Sequence, residues 1–191
     1  MTEALTTELL LIRHAPAITG GRLAGRRDVP ADCTSDQAFA ALRAALGAVD
    51  RRLVSPALRC RQTAAALWPD AAPHADPRLW EQDFGAWEGV PYADLPDLGL
   101  RALPDLADHR PPGGESFADQ CARTAPALVA LATGGRVAVV AHAGTVRAGL
   151  ALALGAPGPA LAFQVAPLSL TRITALAGGG WAVGCVNWTP A

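Results

Sequence analysis

The sequence predicts an α/β fold of one domain spanning residues 1–191: a three-layer sandwich with a mostly parallel central sheet and helices on both faces. A small lid insertion is expected at about 73–114, where regular patterning gives way to loop signals. Three observations carry this. Short, continuous apolar runs read as strands buried on both faces. Segments of helical period alternate with them, each with start or stop signals. Polar clusters, Arg13-His14, Ser55 through Arg59, and His142, stand at expected strand ends, where ligands bind in such folds.

In chain order, Glu8-Leu9-Leu10-Leu11-Ile12 is the first apolar run and ends at Arg13-His14. Thr34-Ser35-Asp36-Gln37 offers a capping box, and Phe39, Leu42 and Leu46 recur at helical spacing up to Gly47, which predicts a crossover helix. Arg52-Leu53-Val54 predicts a short strand, followed by Ser55 as a cap residue and Pro56 at the first position of the next helix. Arg59, Gln62 and Thr63 fall at i, i+3 and i+4 and so share one face near that helix's start, and Trp68-Pro69 ends it. Ser116-x-x-Asp119 opens a further helix with Phe117, Leu128 and Leu131 toward the core. Pro126 inside it predicts a break or kink. Arg136-Val137-Ala138-Val139-Val140-Ala141 is the clearest buried strand, followed at once by His142-Ala143-Gly144-Thr145 and a helix closed by Gly155. Residues 169–176 and 181–188 read as two strands joined by the Gly178-Gly179-Gly180 turn.

Composition narrows the function. A hydrophobic share of 51% against 17% charged is too apolar for disorder. Sixteen basic and seventeen acidic residues give a net charge of −1, without the clustered positive charge that nucleic-acid binding needs. No apolar run is long enough to span a membrane, and Met1-Thr2-Glu3-Ala4-Leu5-Thr6-Thr7-Glu8 lacks the features of a signal peptide, so a cytoplasmic location is expected. The four cysteines, Cys33, Cys60, Cys121 and Cys185, are scattered without a C-x-x-C pair and read as reduced thiols. Nothing in the sequence addresses oligomeric state.

Phosphate esters resist nucleophiles because their anionic oxygens repel them, so a metal-free catalyst must supply cationic donors and an aligned nucleophile. Arginine provides a rigid fork that stays charged, and a neutral imidazole provides a lone pair near neutral pH. Arg13, His14, Arg59 and His142 form such a set, with a carboxyl group needed to protonate the departing alkoxide. A zinc site on the two histidines lacks a closely spaced third ligand, so neither metal nor cofactor is expected. Gly113-Gly114 lacks the Lys-Ser/Thr of a P-loop. Trp68, Trp80 and Trp87 read as packing residues, Arg61 as a surface residue, and His74 and His109 as solvated lid residues.

The ordered motifs Leu11-Ile12-Arg13-His14-Ala15, Ser55-Pro56-Ala57-Leu58-Arg59-Cys60-Arg61-Gln62-Thr63-Ala64, Leu79-Trp80-Glu81-Gln82-Asp83-Phe84-Gly85-Ala86-Trp87-Glu88-Gly89, Pro112-Gly113-Gly114-Glu115-Ser116 and Val140-Ala141-His142-Ala143-Gly144 together resemble the histidine phosphatase superfamily, also called phosphoglycerate mutase-like. Within it, the short length, Gly25-x-x-Asp28 and the Glu81 to Gly89 run are most similar to alpha-ribazole phosphatases, which implies a step in cobalamin biosynthesis. The resemblance implies that His14 is the nucleophile and that Arg13 and Arg59 clamp the phosphate. It further implies His142 as another phosphate donor, Glu81 as proton donor with Glu88 the alternative, and a substrate-binding place for Ala143. The partner implied is a small-molecule phosphate ester. Two departures stand out: Ala15 and Ala143 where glycine is usual, and Pro16-Ala17-Ile18-Thr19 in place of a stretch carrying an Asn near the phosphate. A phosphomutase on the same scaffold and a catalytically silent phosphate-binding module are the competing readings. The length is short for a mutase, while candidates for every catalytic part argue against silence.

Overall fold

The computed structural model describes residues 6–190. Its strands are β1 (Thr7–Arg13), β2 (Arg51–Val54), β3 (His74–Ala75), β4 (Gly135–Ala141), β5 (Leu170–Ala175) and β6 (Trp181–Trp188). Its helices are α1 (Asp36–Leu46), α2 (Leu58–Leu67), α3 (Leu103–Asp108), α4 (Phe117–Val129), α5 (Ala143–Leu154) and α6 (Pro157–Ala160). One sheet has the order β3-β2-β4-β1-β5-β6. The pairs β3/β2, β2/β4 and β4/β1 are parallel, and β5 runs antiparallel to both β1 and β6. The fold is the α/β sandwich that the alternating pattern predicts.

Successive side chains of a strand point to opposite faces, and β1 is apolar on both. Leu9 and Leu11 pack with Val137, Val139 and Ile173 against α4 and α5. Leu10 and Ile12 pack with Ala138 and Val140 against Phe39, Leu42 and Leu46 of α1 and Cys60, Ala64 and Leu67 of α2. The two faces thus build two cores and put the ends of β1 and β4 at the centre of the molecule.

Several local details differ from the sequence reading. The cap of α1 is Ser35, whose hydroxyl accepts from the Ala38 N–H, while the Thr34 hydroxyl donates to Asp32 at 2.6 Å. Helix α2 begins at Leu58 rather than Pro56, and its first N–H donates to the Asp28 carboxylate at 2.6 Å, so the cap comes from 30 residues upstream. Ser55 is thereby left for another role. The capping box of α4 forms as expected between Ser116 and Asp119. Pro126 does not break that helix, because it lies in the last turn and the chain leaves α4 at Val129. The segment 73–114 contains the edge strand β3, three one-turn 3₁₀ helices and α3. Neither β3 nor α3 carries a periodic pattern long enough to detect. Ala107 of α3 is buried in the same core cluster as residues of α4 and α5, so that part of the segment belongs to the helical layer.

Candidate active site

Three strands end side by side and each hands on a polar residue. His14 follows β1 and its N–H donates to the Ala141 carbonyl at 2.9 Å; Ser55 follows β2 and its N–H donates to the Val140 carbonyl at 2.9 Å; His142 follows β4. Above them the loop after β1 folds back on itself through a bridge between Ala17 and Ala31 and pairs Arg22 with Pro91. These loops and strand ends enclose a cavity of about 230 Å³ whose charged and nucleophilic lining is Arg13, His14, Arg59, Glu81 and Arg147.

Hydrogen bonds fix the protonation of both imidazoles. His14 is 4% exposed, and its Nδ1 lies 2.6 Å from the Ala15 carbonyl, an acceptor, so Nδ1 carries the proton. Arg59 Nε, which only donates, faces His14 Nε2 at 3.3 Å, so that nitrogen presents its lone pair. Burial, with Arg59 and Arg13 nearby, lowers the His14 pKa to about 3, opposed by the Ala15 bond. His14 is therefore a neutral imidazole with an available Nε2. His142 is fully buried, its ring centroid 5.2 Å from that of His14 and stacked on Trp80. Arg59 Nη2 donates to its Nδ1 at 3.1 Å, so its proton sits on Nε2, which donates to Ser55 Oγ at 2.8 Å. Burial and Arg59 push its pKa well below 6.5.

Arg59 organises this centre. Its Nη1 donates to the Arg27 carbonyl at 2.9 Å and its Nη2 to the Gly25 carbonyl at 2.7 Å, which leaves the Nε–Nη2 edge turned toward the two histidines. Gly25 is required here: φ is +52°, and a Cβ would collide with the Glu88 carboxylate. That carboxylate accepts from the Arg26 N–H at 2.7 Å and the Phe84 N–H at 3.2 Å, so Glu88 ties two loops together and does not line the cavity. Glu81 does line it. Its Oε1 accepts from the Gln82 N–H and from Gln120 Nε2, both at 3.0 Å, leaving Oε2 beside the Gly144 N–H at 3.5 Å. Gly144 again matters for space, since a Cβ there would meet both Glu81 and Gln120. Arg13 donates through Nη1 to the Val165 carbonyl at 2.6 Å, and its buried Nε has no partner among the described residues. Burial draws its pKa below the ordinary arginine value, with Glu81 opposing.

A family model, the histidine phosphatase superfamily (branch 1), matches residues 9–189. The chain belongs to the histidine phosphatase superfamily. Among the relatives of this superfamily member, the bifunctional protein Rv2228c of Mycobacterium tuberculosis is 33% identical over 204 residues, covering 96% of this chain and 54% of that protein. The chain thus spans about half the length of the first curated relatives it matches. A mycobacterial glucosyl-3-phosphoglycerate phosphatase superposes with a TM-score of 0.83 at 25% identity, covering 96% of this chain and 100% of the other. A candidate alpha-ribazole-5′-phosphate phosphatase from Escherichia coli shares the fold, with a TM-score of 0.79 at 22% identity over 95% of this chain and 96% of the other.

In this superfamily member the structure brings Arg13, His14, Arg59, Glu81 and Ala143 to one cavity, with His142 immediately behind Arg59 and His14 and not in the lining. Neither Ala15 nor Ala143 adopts a left-handed backbone, so alanine is accommodated at both. In the stretch without the usual Asn, Thr19 is the polar side chain that reaches the cavity. Arg61 is exposed, as read. His109 is not simply solvated, because it stacks on Trp87 with centroids 5.6 Å apart. Sequence reading placed Ser55 in a strand-end cluster but as a helix cap rather than a partner of His142, and it missed Arg147, Gln120 and Tyr92. The position of Arg147 five residues after His142, one and a half helical turns along α5, was the one local signal for any of them. No group of three or more His, Cys, Asp or Glu residues that could hold a metal occurs among the described residues, and no helix among them is long and apolar enough to cross a membrane.

Proposed function

We propose that this superfamily member is a metal-independent phosphomonoesterase that acts on a small phosphate ester through a phosphohistidine on His14. The observation that carries the reading is the tautomer of His14: the proton is held on Nδ1 by the Ala15 carbonyl, and the Nε2 lone pair stands in the cavity beside Arg59. Nε2 attacks phosphorus, the bond to the ester oxygen breaks, and Glu81 Oε2 delivers its proton to the departing alkoxide. Glu81, now ionised, takes a proton from water as that water attacks phosphorus, which breaks the N–P bond and releases inorganic phosphate with His14 restored. Arg13 and the Nε–Nη2 edge of Arg59 hold the phosphoryl oxygens, doing electrostatically what a metal ion does elsewhere. For His142 to donate to the same oxygens, its Nδ1 must gain a proton, and the Ser55 hydroxyl, which both accepts and donates, suits either tautomer of the ring. Residues 73–114 act in this reading as a partial cover, contributing Glu81, Gln82, Phe84 and Tyr92 to the cavity wall.

The finer assignment, alpha-ribazole 5′-phosphate in a cobalamin pathway, is supported by the motif resemblance and by shared fold with one neighbour. The test is hydrolysis of p-nitrophenyl phosphate and a panel of phosphate monoesters, that nucleotide included, with and without excess EDTA. Turnover that survives EDTA and is lost in His14→Ala is expected. Near wild-type kcat in that variant, or activity restored by zinc or magnesium, would overturn the reading.

A further inference from the structure

We propose that Gln120 is a positioning residue for the proton donor: by donating to one oxygen of Glu81 it confines both proton transfers of the reaction to the other. This rests on the phosphatase reading and gives a residue of α4, outside the cavity lining, a part in the departure of the leaving group.

The carboxyl group of Glu81 is held unevenly. Oε1 accepts from the Gln82 N–H and from Gln120 Nε2, both at 3.0 Å, whereas Oε2 has only the Gly144 N–H, at 3.5 Å, among the described residues. An oxygen whose two lone pairs both meet N–H donors has no place left for a proton, so in the acid form the proton sits on Oε2. The Oε2–H bond breaks as the departing alkoxide takes that proton, and it forms again when the attacking water gives one up. Neither step disturbs the bonds at Oε1.

The Gln120 amide has one orientation that allows this. Its Nε2 also faces the Trp80 carbonyl at 3.5 Å, so turning the amide over would set its oxygen against two acceptor oxygens. In the orientation present, the amide oxygen is buried without a hydrogen-bond partner among the described residues, at the spot where a Cβ on Gly144 would meet it. Gln120 is fully buried, and it stands in the inward stripe of α4 with Phe117, Cys121, Thr124 and Leu128, where helical period calls for an apolar side chain. An orphaned amide oxygen at such a position works against stability. A polar residue kept at a cost to the core is the pattern expected where chemistry, not packing, sets the choice.

The loop that carries Glu81 is fastened by other residues. Arg123, about one turn further along α4, donates to the carbonyls of Arg78, Trp80 and Glu81 at 2.7, 3.1 and 3.3 Å. Thr124 donates to the Arg78 carbonyl at 3.2 Å and Thr145 to the Leu79 carbonyl at 3.1 Å. These bonds hold the backbone of the loop against α4 and α5. What Gln120 adds is the direction of one side chain.

Gln120→Met tests it, since it removes the donor and the orphaned oxygen together and keeps the length of the side chain. Single-turnover phosphorylation is followed with p-nitrophenyl phosphate, whose leaving group needs little protonation, and with whichever of glycerol 3-phosphate, 3-phosphoglycerate and phosphoserine the wild type cleaves fastest. The rate on the alkyl phosphate should fall about 10-fold or more and that on p-nitrophenyl phosphate less than about 3-fold, with affinity for both unchanged. The melting temperature should hold or rise. In a Glu81→Gln background, Gln120→Met should cause no further loss, because it acts only through that carboxyl group. Gln120→Leu, a second apolar replacement, carries the same expectations where methionine disturbs packing. Unchanged rates, equal losses on both esters, or a further loss in the double variant would each overturn the proposal. Equal losses with a lowered melting temperature would do so by making Gln120 a structural tie between α4 and the loop. Failure of the underlying phosphatase reading looks different: the wild type would release phosphate from no ester, p-nitrophenyl phosphate included.

Discussion

Two neutral imidazoles share one arginine at the centre of the site, and the chemistry depends on how that arginine is held. A guanidinium can donate to the Gly25 and Arg27 carbonyls and still present an edge to His14 and His142, because its five donors lie in one rigid plane. An ammonium group cannot serve both sets. Arg59→Lys is therefore expected to lower kcat/KM by about 10²-fold or more on every ester, measured against Arg61→Lys, an exposed control, which should change it little. The same geometry predicts that the His14 and His142 ring signals in NMR spectra keep neutral shifts from pH 8 down to pH 5, since burial and neighbouring arginines lower both pKa values. A titration of either ring near pH 6.5 would show that the site is wetter than described. At this scale the sequence was informative for residues that end a strand. Arg13-His14 and His142 each follow an apolar run that can be read locally. Arg147, and the role though not the position of Ser55, were not legible, because they depend on partners 16 residues and more away: Phe163 for one, His142 for the other.

Among the elements, α5 does more than carry Arg147. Its first turn must be thin enough for Glu81 and Gln120 to approach, and Gly144 provides that space. Gly144→Ala is expected to displace Glu81 while the helix gains propensity, so thermal stability should change little. Activity on an alkyl phosphate should fall further than on p-nitrophenyl phosphate, whose leaving group needs little protonation. Equal losses on both would mean that Glu81 positions the substrate. The neighbouring helix α2 gives a stability prediction. Asp28→Ala removes the acceptor for its first N–H and should cost about 1 kcal/mol in urea unfolding, as loss of a cap does. These two helices also show where element boundaries escaped the sequence. The start of α5 follows directly from the strand before it, and the end of α1 from Gly47, whereas the start of α2 is set by a carboxylate 30 residues upstream that no window around Ser55-Pro56 contains. Pro126 misled for a related reason: a proline signals a break only if the helix has far to go, and α4 was about to end.

For the molecule as a whole, burying two neutral histidines ties stability to pH. In the unfolded chain each binds a proton near pH 6.5, but folded His14 does so only near pH 3, and His142 likewise well below 6.5. The unfolded state thus holds more protons across that window, so the contribution is complete above pH 6.5 and is lost as pH falls. Urea unfolding should show stability dropping toward pH 5 with a limiting slope of about 1.4 kcal/mol per pH unit from each histidine, and His14→Asn should remove one such share. Stability that is flat or rising on acidification would contradict the buried, neutral assignment. The layered sheet was readable as a whole because β1 and β4 are apolar on both faces, a pattern that requires helices above and below. The loop folded over the strand ends was not, since its bridges at Ala17–Ala31 and Arg22–Pro91 join residues without periodicity. All of this converges on one nitrogen, and its chemistry can be read directly. The protein is mixed with a slow phosphate ester, quenched during the proposed turnover, digested under alkaline conditions and analysed by mass spectrometry. The account predicts an acid-labile, base-stable phosphate attached to Nε2 of His14, and a phosphate on any other residue, or a stable covalent adduct at Nδ1, would contradict it.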